Sequence, residues 1–199
     1  MTRWGCRFFG NNMPIAIITI GKTHSGKSTF AKKLAAQIPG MVILEADSVA
    51  LFMQEHFPEL HMMDRIQNGN SGSLSIKFQI FQILLKNCLA FNQNIILANS
   101  NLSERVRGEV IGEVKKYPYM TVGIFFNFPE ELLLERVKTS GRDKRVLTTS
   151  KSFEEVVINQ REWLQVPDPA KFDFFFELKS PDEIPETIRA IEGIYSGMK

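Results

Sequence analysis

The clearest chemical pattern in this sequence is a glycine-bounded loop that carries a lysine and hydroxyl residues. Residues 21–29 read Gly-Lys-Thr-His-Ser-Gly-Lys-Ser-Thr and match the phosphate-binding pattern G-x-x-x-x-G-K-[ST] in full. Glycines let the backbone turn its N–H groups inward around a phosphate. We expect Lys27 to reach the β- and γ-phosphates and the Ser28 hydroxyl to ligate Mg²⁺. The predicted nucleotide contacts of the loop are Gly21, Thr23, His24, Ser25, Gly26, Lys27, Ser28 and Thr29.

The loop lies between a predicted strand and a predicted helix, which is the context that the pattern requires. Ile15–Ile20 is a continuous apolar run rich in β-branched residues, and a helix is predicted from Lys27 to about Gln37. Because context and motif agree independently, an ordinary glycine turn is the weaker interpretation. Further buried strands that alternate with helices are predicted at 41–44, 94–98, 120–126 and 172–178. The sequence therefore predicts a three-layer α/β/α fold with a five-stranded parallel sheet.

A single domain accounts for most of the 199 residues. We expect residues 1–13 to be a loose leader and 14–199 to form the domain. Residues 59–73 have the least regular pattern, and we interpret about 57–73 as a loop that contacts the substrate. A basic stretch at about 139–151 is interpreted as a lid. The Ser-x-x-Glu patterns at Ser152 and Ser180 predict the starts of two helices.

Composition excludes several classes of protein. Hydrophobic residues make up 44% and charged residues 23%, which argues against disordered and collagen-like chains. The net charge of +2 gives no strong attraction to nucleic acid or membrane. Cys6 and Cys88 have no paired spacing, so neither a disulfide framework nor a zinc ribbon is expected. The apolar run Ile15–Ile20 is far shorter than the roughly 20 residues of a membrane span. We therefore predict a cytoplasmic protein without membrane association.

From about Ile15 to Phe176 the sequence resembles the P-loop kinase-like proteins. This branch includes polynucleotide kinases, zeta-toxin-like kinases and small-molecule phosphotransferases. The resemblance is carried by the loop at 21–29 and by the arginine-rich segment near residue 140, and the guanine-specificity pattern Asn-Lys-x-Asp is absent from the sequence. It implies that Mg²⁺ and ATP bind at the loop, that the acceptor lies opposite ATP, and that a basic lid closes over the phosphates.

An aspartate follows the second predicted strand, in Leu44-Glu-Ala-Asp47. In kinases that this sequence resembles, an aspartate here takes the proton from the attacking hydroxyl. The resemblance thus implies that Asp47 is a catalytic residue and a substrate contact, with Mg²⁺ binding as a further candidate role. The placement agrees with ligand binding beyond the carboxyl ends of parallel strands. The alternative is a helix N-cap, and Glu45 is the fallback carboxylate.

Asn99, Asn101 and Arg107 are similar to the Asp-Asn-Thr-Asn…Arg stretch of polynucleotide kinases, which implies substrate contacts. Two positions depart from that pattern. Ala98 stands where those kinases have an aspartate that supports Mg²⁺, and Ala50 stands where they have a substrate-binding arginine. Both departures speak against a nucleic-acid 5′-hydroxyl as the acceptor. The alternative for the two asparagines is a role in turn formation and helix capping.

The segment from residue 136 to 151 contains six basic residues and one acid, Asp143. Arginines stabilise the negative charge on a phosphoryl group during its transfer. The resemblance implies that Arg142 and Arg145 are catalytic lid residues and that Arg136 contacts the nucleotide. A solvated basic loop or an RNA-binding patch is the alternative, and Arg136 could instead pair with Glu131 or Glu135.

Together these patterns predict an ATP-dependent phosphotransferase. It would move the γ-phosphoryl group of Mg-ATP to a hydroxyl of a small-molecule or nucleotide-like acceptor. The predicted catalytic residues are Lys27, Asp47, Arg142 and Arg145. A nucleotide-binding module that gates the binding of a partner and a nucleic-acid 5′-hydroxyl kinase are the alternatives.

Overall fold

The computed structural model describes residues 13–68, 75–147 and 152–197. Residues 1–12 of the predicted leader at 1–13, most of the polar tract at 67–73 and residues 148–151 of the predicted lid lie outside these ranges. The strands are β1 (Ile15–Gly21), β2 (Val42–Leu44), β3 (Ile95–Leu97), β4 (Met120–Phe126) and β5 (Phe174–Leu178). The helices are α1 (Lys27–Ala35), α2 (Ala46–His56), α3 (Pro58–Asn68), α4 (Ile76–Ala90), α5 (Glu104–Val114), α6 (Glu130–Lys138), α7 (Phe153–Trp163) and α8 (Ile184–Gly197).

The five strands form one parallel sheet in the order β2-β3-β1-β4-β5. This confirms the predicted fold class. From β1 the chain connects to β2 at one edge of the sheet. From β3 it crosses β1 and connects to β4 in the other half of the sheet. The carboxyl ends of β1 and β3 therefore border the crevice at which parallel α/β sheets bind ligands.

Helices cover both faces of the sheet, as the continuous apolar strands predict. Every residue of β1 is buried. Ile15 and Ile17 pack with the helices α1, α6, α7 and α8, whereas Ile18 and Ile20 pack with α4 and α5. The alternation of side chains along a strand explains this division. The central strand is thus held rigidly, and the loop that follows it starts from a fixed point.

The segment from residue 58 to 68 corrects the prediction of an irregular substrate loop at about 57–73. It forms α3, and α2 ends just before it at His56. Pro58 indicates the end of one helix, but it is also the first residue of the next. Proline is favoured there because its fixed φ suits a helix and its missing N–H has no helical partner to lose.

Two other expectations change at the carboxyl-terminal side. β5 lies at one edge of the sheet and Phe174 is 39% exposed, so this strand is not buried like the central strands β1, β3 and β4. The Ser152 side chain accepts a hydrogen bond from the Glu155 N–H, which confirms that cap. Ser180 instead accepts from the Asp182 N–H and begins a short 3₁₀ turn, and α8 follows only at Ile184.

Candidate active site

The phosphate-binding loop is shaped by close packing at one glycine and a left-handed backbone at another. A Cβ atom on Gly21 would lie 2.9 Å from both the Cβ and the carbonyl oxygen of Phe126 on β4. Gly26 has a φ of 95° and immediately precedes α1. The start of α1 leaves backbone N–H groups unpaired, which is the usual setting for an anion. The loop therefore has the backbone geometry that its sequence predicts.

Lys27 is the buried cation of this loop. Its ammonium group donates to the Lys22 carbonyl at 2.6 Å and to the Ser25 hydroxyl at 3.2 Å. Burial, and then the positive charge of Arg142, lower the pKa of Lys27 to about 7. A negative ligand at the loop would restore the charged form of the lysine.

Hydroxyl and carboxylate oxygens that follow β1 and β2 lie close together at Ser28. The Ser28 hydroxyl donates to Glu45, which directly follows β2, and the Ser48 hydroxyl donates to the other carboxylate oxygen at 3.0 Å. Hydroxyl and carboxylate oxygens are ligands that Mg²⁺ prefers. The residues present therefore fit a magnesium ion at Ser28, and Glu45 supplies a carboxylate that Ala98 cannot. In the parts of the chain that the structure describes, no cluster of three or more His, Cys, Asp or Glu side chains could hold a metal by itself.

Arg142 connects the phosphate-binding loop to Asp47. Its guanidinium donates to the Thr23 hydroxyl at 2.7 Å and forms an ion pair with the Asp47 carboxylate. Asp47 lies in the first turn of α2, and its helix is capped at Glu45 without a side-chain cap bond. The alternative interpretation of Asp47 as the N-cap is therefore wrong. The structure brings together the predicted base, a predicted lid arginine and the loop.

The asparagines after β3 form hydrogen bonds to the backbone of α2 and β1 at the site. Asn99 accepts a hydrogen bond from the Ala46 N–H at 2.9 Å and so fixes the start of α2. Asn101 has a φ of 46° and donates to the Thr19 carbonyl at 2.8 Å. Both line the cavity, but their bonded atoms serve turn formation and helix capping, which the sequence left as the alternative.

Arg107 is not brought to the cavity, contrary to the expectation that it contacts substrate. It is 4% exposed, and its guanidinium donates to the Asn101 carbonyl at 3.0 Å and to the Leu102 carbonyl. Both carbonyls belong to the turn after β3, where a buried carbonyl needs a donor, and the Leu102 carbonyl also accepts from the Gln165 N–H at 3.0 Å. Arg107 therefore stabilises the turn from the buried side, by hydrogen bonds to its backbone.

The other two predicted arginines differ in their surroundings. Arg136 donates to the His24 carbonyl at 3.2 Å and lies over the ring of Phe128, so it supports the loop instead of pairing with Glu131 or Glu135. Arg145 is largely exposed and pairs with Asp143 within the lid. A hydrogen bond to Asp143 raises the pKa of Arg145. Arg142 and Arg136 thus touch the loop, whereas Arg145 lies along the cavity rim.

One cavity of about 1740 Å³ joins these features. The phosphate-binding loop forms one end, with His24, Lys27 and Thr29 in its wall. Asp47 lies between this end and a region bordered by α3 and α4. The cavity therefore has room for a nucleotide together with a second molecule.

A comparison of sequences places the chain in a family. A sequence model for an AAA domain matches residues 17–167. The chain belongs to this AAA domain family. A search of curated proteins finds no match to it.

Several solved structures that share the fold of this AAA domain protein are kinases or candidate kinases by name. A candidate kinase from Chloroflexus aurantiacus J-10-fl is 15% identical, with a TM-score of 0.67 over 96% of this chain and 100% of its own. The shikimate kinase of Bacteroides thetaiotaomicron is 14% identical, with a TM-score of 0.56 over 92% of this chain and 98% of its own. A fungal RNA kinase is 16% identical, with a TM-score of 0.53 over 90% of this chain and 84% of its own. The AAA domain protein therefore has the P-loop kinase fold that its sequence resembles. Across the described residues, no helix is both long and apolar enough to cross a membrane.

Sequence reasoning missed one residue that supports the loop of this AAA domain. Gln160 on α7 is buried and accepts a hydrogen bond from the Thr23 N–H at 2.6 Å. Its neighbour Arg161 pairs with Glu130, which also accepts from Lys22 at 2.7 Å. These hydrogen bonds lower the pKa of Glu130 to about 2. The partners are far apart in sequence, so no local pattern could have indicated them.

Proposed function

We propose that the chain is an ATP-dependent phosphotransferase that moves the γ-phosphoryl group of Mg-ATP to a hydroxyl of a small-molecule or nucleotide-like acceptor. The observation that carries this proposal is the shared contact of Arg142. One guanidinium bonds both Thr23 of the phosphate-binding loop and the carboxylate of Asp47. A carboxylate is thereby held beside the loop, at the place where an acceptor hydroxyl must come to meet a phosphate.

Each residue has a separate task in this proposal. Lys27 and the loop N–H groups bind the phosphates, and Asp47 accepts the proton that the acceptor hydroxyl loses. Arg142 stabilises the charge that spreads over the moving phosphoryl oxygens. Magnesium, when bound, neutralises phosphate charge, and Ser28 with Glu45 would hold it. Among the carboxylates near the loop, Glu45 rather than Asp47 suits this role, because Asp47 is paired with Arg142.

Label transfer tests the proposal. The purified protein, Mg²⁺ and γ-labelled ATP are incubated with separate fractions of metabolites and RNA. We expect label to move into one fraction with the wild type but not with Lys27→Met. Lys32→Met is the matched control because Lys32 is an exposed lysine on the same helix. Label released only as inorganic phosphate in every fraction would contradict phosphoryl transfer and support the nucleotide-gated module.

A second pair of variants tests the proposed base. Asp47→Asn keeps the size of the side chain but cannot accept the proton, so transfer should slow by about 10²–10⁴-fold with little change in ATP affinity. Glu55→Gln removes an exposed carboxylate from the same helix and should leave transfer unchanged. Equal losses of transfer and ATP binding in Asp47→Asn would refute the role of Asp47 as base. Label in an RNA fraction would favour the alternative of a nucleic-acid 5′-hydroxyl kinase.

A further inference from the structure

Three side-chain contacts and one backbone N–H form a closed ring of hydrogen bonds between the phosphate-binding loop and the segment after α6. The two imidazole nitrogens of His24 lie 3.2 Å from the Thr23 hydroxyl and 3.0 Å from the Ser140 hydroxyl. The Arg142 N–H donates to the Ser140 oxygen at 3.1 Å. The Arg142 guanidinium completes the ring by donating to the Thr23 hydroxyl at 2.7 Å. We call this ring of Thr23, His24, Ser140 and Arg142 the clasp.

We propose that His24 is a positioning residue for Arg142, acting through Ser140. This inference rests on the proposed function, because it assigns Arg142 to the moving phosphoryl group. It adds a task that the loop pattern does not carry, since that pattern leaves the residue at position 24 unspecified. In the clasp, His24 positions the backbone N–H of Arg142 through Ser140 and its guanidinium group through Thr23.

The backbone and the neighbours of His24 suit this task. Its φ of 60° is a left-handed conformation that few residues other than glycine adopt, and its side chain reaches the segment after α6. The imidazole packs edge-on against Phe153 of α7 with a centroid distance of 4.8 Å. Arg142 lies over the same Phe153 ring at 5.3 Å. One aromatic ring therefore supports both ends of the clasp.

Position 24 of the clasp needs a side chain with two polar atoms, one facing the Thr23 hydroxyl and one facing the Ser140 hydroxyl. Neutral histidine provides both. One ring nitrogen donates and the other accepts, while each hydroxyl can rotate to match. Burial, followed by the charges of Arg142 and Lys27, lowers the pKa of His24 to about 4. The ring therefore remains neutral near pH 7 and adds no repulsion against Arg142.

Amide hydrogen exchange of the nucleotide-free protein tests the clasp without reference to catalysis. Ser140→Ala removes the acceptor of the Arg142 N–H, so this amide should exchange roughly tenfold faster. His24→Phe keeps the packing against Phe153 but removes both nitrogens. It leaves the Ser140 acceptor in place, so faster exchange of the Arg142 amide in this variant would reveal the coupling. Ser140→Thr retains the hydroxyl and should restore slow exchange, and Thr139→Ala removes a neighbouring hydroxyl as the control.

Turnover with the acceptor found by label transfer supplies the second measurement. Ser140→Ala and His24→Phe should each lower kcat by about tenfold, with a smaller change in the KM for ATP, and the double variant should be no slower than either alone. In an Arg142→Ala background neither change should have a further effect. The clasp is overturned if His24→Phe leaves exchange of the Arg142 amide unchanged, or if the two losses in kcat add. Coupled exchange without any phosphoryl transfer would retain the clasp as structure and reject the proposed function and, with it, the role of His24 in catalysis.

Discussion

Binding of ATP should take up a proton above pH 7, because Lys27 is buried without a neutralising ligand in the free protein. The pKa of its ammonium group is about 7 there, against an ordinary value of 10.5. Phosphate charge at the loop favours the ammonium form and returns its pKa toward the ordinary value. With these values, binding takes up about one proton at pH 8.5 and about one tenth of a proton at pH 6.

Calorimetric titration in buffers with different ionisation enthalpies measures this uptake. Lys27→Met should abolish the uptake at pH 8.5, whereas Lys32→Met, at an exposed position of the same helix, should retain it. Uptake below about 0.2 proton at pH 8.5 in the wild type, or equal uptake in Lys27→Met, would refute the reasoning.

The same pKa shift predicts how the free energy of unfolding of the nucleotide-free protein depends on pH. The folded-state pKa of Lys27 lies below its unfolded value. Between about pH 7 and 10.5 the unfolded state therefore binds more protons, and the contribution of Lys27 to stability rises with pH. Below about pH 7 both states are protonated and the cost of burying the charge is fully present. In urea titrations, the free energy of unfolding of the wild type should therefore rise relative to that of Lys27→Met between pH 7 and pH 9.

Three further substitutions test particular contacts. Arg107→Met removes the guanidinium donor of the Asn101 carbonyl, whereas the Leu102 carbonyl keeps the Gln165 N–H, and should lower the free energy of unfolding by about 1–3 kcal/mol in urea titrations; a loss below about 1 kcal/mol would count against the role of Arg107 in the turn. Glu45→Gln should raise the Mg²⁺ concentration for half-maximal transfer about tenfold, and an unchanged Mg²⁺ dependence would contradict the metal assignment. Gly123→Ala places a Cβ within 2.8–2.9 Å of two phenylalanine rings and should cost about 1–3 kcal/mol by the same titration, so wild-type stability would show that these rings can move.

Much of the fold follows from the apolar runs in the sequence. The strand predicted at 120–126 has the same bounds as β4, and β1 agrees with its prediction to within one residue. Such runs are recognisable because a strand buried on both faces has no polar side to interrupt it. The strand at 172–178 is predicted to be buried because it is rich in phenylalanine. An apolar run does not indicate whether its strand lies at the centre or at the edge of the sheet, and β5 lies at an edge. Strand order depends on which helices pack together, and the sequence pattern did not predict it.

The region around α3 shows why helix boundaries at proline are difficult to predict. Pro58 does not continue α2, which ends at His56. Whether the next residues form a loop or a helix depends on tertiary contacts. The Asp64 carboxylate accepts hydrogen bonds from the Ser75 hydroxyl and the Ile76 N–H, so α3 supplies the cap for the start of α4. A contact across a polar stretch of sequence has no local signal, so the part of the cavity bordered by α3 and α4 is the hardest to predict from the sequence.

Polar residues after β3 show the limit of assigning roles from spacing. A turn beyond a buried strand needs donors and acceptors for its own backbone, and asparagine and arginine supply them as readily as they bind a substrate. Asn99 and Arg107 occupy the positions that the resemblance indicates, yet their bonds go to the backbone. Asn99 still acts on the site, because it fixes the first N–H of the helix that presents Asp47. Ala98 and Ala50 lack the two functional side chains that the resemblance indicates, whereas Glu45 places a carboxylate beside Ser28 at the adjacent strand end.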